Sequence, residues 1–156
     1  MFQLDEEQRL ILQSVREIVQ KEIKPQAATL DETGEFPWDV VRLFAKNDIL
    51  NPLLPQKYGG VEVSAYTFCM IVEEIAKTCA SSALLLIAQA EGTLPIVYGA
   101  DESLQEKYLK RLAGGSQVLI GLGAIEPSSG SGIFSLRTRA ELRGDQYILQ
   151  GEKCFA

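Results

Sequence analysis

The sequence predicts a mainly α chain: an N-terminal helical bundle over residues 1–115, then an incomplete β-domain of about three strands over 116–156. Three observations carry this. Apolar residues recur at helical spacing as far as about residue 113. Beyond Gly114-Gly115 the period falls to the alternation of strands. The sequence then stops at "KCFA", soon after a hairpin-like stretch whose apolar face wants further strands or a partner surface.

Asp5 precedes the first helical run, with Gln8 three positions on as a capping-box partner. Ile11, Val15, Ile18, Val19 and Ile23 supply its apolar stripe, and Lys24-Pro25 ends it. "DETGEF" reads as a loop, and Pro37 suits the first turn of a helix carrying Val40, Val41, Leu43 and Phe44. "LNPLLPQKYGGVEVS" is an irregular connection, and Ser64 caps the next helix, whose Phe68, Ile71, Val72 and Ile75 form one face. Glu73 and Lys77 on it are spaced as an ion pair. Ser81 or Ser82 opens "SSALLLIAQAEGT", apolar nearly all round and so expected deep in the bundle, with Ile87 buried. The last helix starts at Asp101 and stops at Gly114-Gly115. "QVLIGLGAI" reads as a strand, and "SLRTRAELRGDQYILQGEK" as a hairpin with Gly144-Asp145 near its tip.

Composition removes several function classes. At 46% apolar residues the chain can build a core. The net charge of −6, with no block of Lys and Arg, speaks against nucleic-acid binding. "MFQLDEEQRL" has the features of neither a secretory signal nor a transit peptide, and no apolar window reaches the ~18 residues of a membrane span. Cys69, Cys79 and Cys154 form no C-x-x-C pair and read as thiols in a reducing, cytoplasmic setting. Histidine is absent, which removes Ser-His-Asp and Cys-His triads and leaves no metal site to expect.

Among the motifs, "EPSSGSG" reads from composition as a solvated loop or as a phosphate cradle of converging N–H groups. It lacks the G-K-S/T ending of a P-loop, and "GLGAIE" fails the dinucleotide fingerprint at Glu126. Arg143-Gly144-Asp145 reads as a hairpin turn, and the adjacent Glu73 and Glu74 as surface ion-pairing groups. The apolar helix "SSALLLIAQAEG" reads as core or as the wall of an acyl pocket.

Three segments together resemble the acyl-CoA dehydrogenase family: the opening "LDEEQRLILQSVREIVQKEIKPQAATLDETGEFP", then "LLPQKYGGVEVSAYTFCMIVEEIAK", then the passage from "LPIVYGADESLQEKYLKRLAGG" to "GEKCF". The resemblance implies FAD-dependent α,β-dehydrogenation of an acyl-CoA thioester, with electrons passed to an electron-transfer flavoprotein. It implies that Glu126, Ser128, Ser129, Gly130 and Ser131 lie near the flavin and the CoA phosphates, with the Phe155 ring against the flavin. It also implies that Ala83, Leu84, Ile87 and Glu91, with Ser131, meet the substrate. Three positions depart from the family pattern: Ile125 replaces a hydroxyl, Gly132 an Asp and Leu122 an aromatic. The family's catalytic base belongs to a C-terminal bundle with no counterpart here, so no catalytic residue is assigned, and the chain is expected to be a truncated part, inactive alone and homo-oligomeric. The alternative is a non-catalytic assembly module that completes its fold with a partner chain.

Overall fold

A computed structural model describes residues 3–155. They fall into two compact units, one up to Ile120 and one from Gly121.

The first unit is helical. α1 (Glu6–Ile18) begins with the expected capping box, in which the Gln8 amide donates to the Asp5 carboxylate at 2.8 Å and the Asp5 amide to the Gln8 side chain at 3.2 Å. It runs on through a π-helical turn, Val19–Ile23, which keeps Leu12, Val15, Val19 and Ile23 buried on one side before Pro25 stops it. α2 (Ala27–Thr33) lies partly where the sequence reads as loop; it buries none of its side chains, so no apolar stripe announces it. Gly34, at φ +64°, ends it in the left-handed conformation that glycine adopts readily. α3 (Trp38–Lys46) has Pro37 at its N-cap and buries Val40, Val41, Phe44 and Ala45. α4 (Ala65–Ala76) is capped by the Ser64 hydroxyl, which accepts from the Thr67 amide at 3.1 Å. Its Glu74 receives Arg16 of α1 at 3.1 Å, and Lys77 reaches Glu73 at 3.2 Å as the spacing predicts.

The connection from α3 to α4 is fixed by close backbone contact. A Cβ on Gly60 would stand 1.9 Å from the Leu54 carbonyl oxygen, so only glycine fits there. Beside it, the buried Tyr58 donates its hydroxyl to Gln105 at 2.8 Å on α6 (Glu102–Leu109), which Asp101 caps. Gln105 in turn donates to the Val97 and Ala100 carbonyls, both at 2.9 Å, closing the end of α5 (Ala80–Gly99).

α5 departs from its expected burial. It has an exposed stripe: Leu84, Ala88, Glu91, Pro95 and Tyr98, with Leu84 60% and Tyr98 83% accessible, while Ile87 is half-buried. The buried face carries polar side chains among its apolar ones, with Ser82, Gln89 and Thr93 beside Ala83 and Leu86. The helix is also 20 residues long with a mean hydropathy of 1.4, enough by length and composition to cross a bilayer. Its buried polar groups are instead matched by partners from this chain. Gln89 donates to Asn51 at 2.9 Å and to the Val118 carbonyl at 3.1 Å, and accepts from the Ile120 amide at 3.0 Å. These bonds tie residues 118–120 to α5, which is why the helical unit extends to Ile120.

Among its described residues the second unit holds two strands rather than three. Residues 117–125 form no strand, because no other strand among the described residues pairs with them. β1 (Arg139–Arg143) and β2 (Gln146–Gln150) pair antiparallel, with Arg143 opposite Gln146 across the Gly144-Asp145 turn. Gly144 has φ +65° at the first turn position, where type II′ hairpins take glycine.

Candidate functional site

The hydroxyl-rich loop is a built structure. Glu126 and Ser129 exchange backbone hydrogen bonds of 3.1 and 2.9 Å, folding Glu126-Pro127-Ser128-Ser129 into a tight turn. The Ser129 hydroxyl points inward and donates to the Gly132 carbonyl at 2.5 Å. Ser128 and Ser131 are exposed, and neither hydroxyl bonds to another of the described residues. Gly130 has open space where a Cβ would stand.

Glu126 is only 4% accessible, and its carboxylate is met by the chain's own donors. One oxygen accepts from the Arg137 amide at 2.6 Å. The other accepts from the Thr138 amide at 3.0 Å, the Thr138 hydroxyl at 2.5 Å and the Lys153 ammonium at 2.9 Å. The Thr138 hydroxyl, the Arg137 amide and the Lys153 ammonium all favour the ionised form and hold the carboxyl at about 2, against an ordinary 4.5. Lys153 also donates to the Ala124 carbonyl at 3.3 Å, and the Cys154 amide to the Ile125 carbonyl at 2.9 Å. The segment ending in Phe155 is thereby joined to the start of the loop. The Phe155 ring is 93% accessible and its backbone has φ +56°, a conformation rare for a side-chain-bearing residue.

Of the residues singled out from sequence near a cofactor, the structure thus gathers Glu126, Ser128, Ser129, Gly130, Ser131 and Phe155 in one unit. Sequence reasoning missed Arg137, Thr138 and Lys153, whose spacings of 11, 12 and 27 residues from Glu126 carry no periodic signal. Of the residues singled out for the substrate, Ser131 lies in the loop just described, and the other four sit on α5, where Ala83 is buried, Ile87 half-buried, and Leu84 and Glu91 lie on the exposed stripe. No group of three or more His, Cys, Asp or Glu among the described residues is placed to hold a metal.

A family model described as acyl-CoA dehydrogenase, N-terminal domain, matches residues 5–116. The chain belongs to the acyl-CoA dehydrogenase family. Its relatives include a cyclohex-1-ene-1-carbonyl-CoA dehydrogenase of Geobacter metallireducens, 49% identical over 99% of this chain and 41% of the relative. A protein of the same name from Syntrophus aciditrophicus is 43% identical, over 99% of this chain and 37% of the relative. Among solved structures, a glutaryl-coenzyme A dehydrogenase in complex with glutaryl-CoA matches with a TM-score of 0.86 at 29% identity, over 98% of this chain and 40% of that one. The chain therefore spans about two fifths of the acyl-CoA dehydrogenases it matches.

Proposed function

We propose that this chain supplies the helical unit and the cofactor loop of a flavin-dependent dehydrogenase acting on a cyclic carbonyl-CoA thioester. The observation that carries the reading is the 49% identity, across nearly the whole chain, to a protein named for cyclohex-1-ene-1-carbonyl-CoA. The local structure fits a flavin with phosphates. Ser128 and Ser131 offer two exposed hydroxyls without partners among the described residues, Gly130 leaves room for close approach, and Phe155 offers an exposed aromatic face. The flavin, when bound, would accept the hydride equivalent that leaves the acyl chain. The chain's own residues bind and orient. On this reading Ser128, Ser131 and Phe155 would contact the cofactor, and, separately, Leu84, Ile87 and Glu91 of α5 would contact the acyl group. The electron acceptor on this reading is an electron-transfer flavoprotein, and the assembled enzyme is a homo-oligomer.

The reading is tested by titrating the protein, with FAD present, against cyclohex-1-ene-1-carbonyl-CoA and against a straight-chain acyl-CoA of equal carbon number. Tighter binding of the cyclic thioester is expected. Equal affinities would remove the cyclic assignment, and no binding of either would remove the acyl-CoA reading for this chain.

A further inference from the structure

We infer that Glu126 is a positioning residue whose buried carboxylate sets the placement of the Ser128–Ser131 loop and of the Phe155 segment together, and that it does not itself contact a ligand. This rests on the proposed function only for what the two segments would hold.

The argument begins with accounting. An ionised carboxylate is acceptor-only, and Glu126 receives four donors within 3.0 Å while lying 4% accessible. Oε1 takes three of these donors and Oε2 one, so burial of the residue, rather than a full set of donors, is what keeps a ligand group from Oε2. The four come from three residues in two parts of the chain. Arg137 and Thr138 lead into β1, and Lys153 follows β2, two residues before Phe155. Glu126 itself starts the tight turn that presents Ser128 and Ser131. One side chain thus fixes both segments against the base of the hairpin. Charge-assisted bonds of this kind are the strong ones, and the partly shielded Lys153 is held by the same oxygen as Thr138. The depressed proton affinity of the carboxyl agrees with this arrangement. By contrast, the Ser129 hydroxyl bonds only within the loop.

This contrast supplies the test. Amide hydrogen exchange is measured on the full chain at Ser129 and Ser135, which report the loop, and at Cys154, which reports the Phe155 segment. Glu126→Gln keeps the size but replaces an acceptor oxygen with an N–H₂ group facing donors. It is expected to speed exchange in both segments together, by ~10-fold or more. Ser129→Ala is expected to loosen the loop and leave Cys154 unchanged. If Glu126→Gln loosens the loop alone, or neither segment, the inference fails. Should that variant unfold the unit, Lys153→Met decides: a smaller loosening of both segments supports the inference, and a change confined to Cys154 overturns it. FAD titration of the same proteins separates the ligand question. If the unsubstituted chain binds FAD, Glu126→Gln should weaken it ~10-fold or more and Ser129→Ala less. If Glu126→Gln binds FAD as tightly as the unsubstituted chain, the inference fails. If the unsubstituted chain binds no FAD, the flavin reading of the loop fails for this chain, and the exchange result still decides the positioning role.

Discussion

The two units are held by different physics. Up to Ile120, helices close around Ile23, Val40, Val41, Phe44, Ile75 and Leu86, all of them inaccessible to solvent. From Gly121 onward, the buried side chains among the described residues are Glu126 and Ser129, both polar, while every residue of β1 and β2 is exposed. A two-stranded hairpin has too little apolar area to make a core, whereas a set of helices has enough. Where area is lacking, the chain relies on a few directional bonds converging on one carboxylate. Such a unit is sensitive to one charge, and a helical core is sensitive to volume.

That contrast can be broken most severely by acid. The folded-state pKa of Glu126 is depressed, so its stabilising contribution is full above about 4.5 and is lost as pH falls toward about 2. Protonation turns an acceptor into a donor and removes the partner of Lys153. The Arg137 and Thr138 amide resonances should therefore shift together across that window; shifts that move independently would deny a shared acceptor. Next in size is Phe44→Ala at the centre of the helical core. It should cost about 3–5 kcal/mol in equilibrium urea denaturation, from lost transfer energy plus a cavity. Gln89→Leu should cost about 1–3 kcal/mol by the same measurement, because it strands the Ile120 amide and the Asn51 side-chain oxygen without their partner. A loss below ~0.5 kcal/mol would show that water replaces the amide. The smallest effect is expected at Leu149→Ala. On an exposed strand it should stay within about 0.5 kcal/mol. A larger loss would mean that the hairpin face is covered in solution.

How much of this was legible in the sequence follows the same division. The Asp5–Gln8 box, the caps at Ser64 and Asp101 and the Glu73–Lys77 pair are local rules, and each appears at its expected place. α5 was misjudged because its many apolar residues hid which face turns inward, and that face carries Ser82, Gln89 and Thr93. The polar face is intelligible only once Asn51 and residues 118–120 are seen to meet it. Residues 117–125 have the composition of a strand, but a strand also requires a neighbour to pair with. The loop at Glu126 was recognisable by resemblance. The task of its carboxylate was not, since the groups it holds are scattered as far as Lys153.

The two-residue turn at Gly144-Asp145 has a consequence for the order of events in folding. Closing the hairpin brings only near neighbours in sequence together, and such closures take on the order of 1–10 μs. Gathering Thr138 and Lys153 around Glu126 from an open chain would mean closing spans of 12 and 27 residues separately. Once Arg139 faces Gln150, however, Thr138 and Lys153 already lie at the same end of one ribbon. A single docking event then satisfies both. The hairpin is thus expected to zip first and the carboxylate to be captured afterward, so that a substitution slowing the turn at Gly144 would also delay the assembly of a site many residues away.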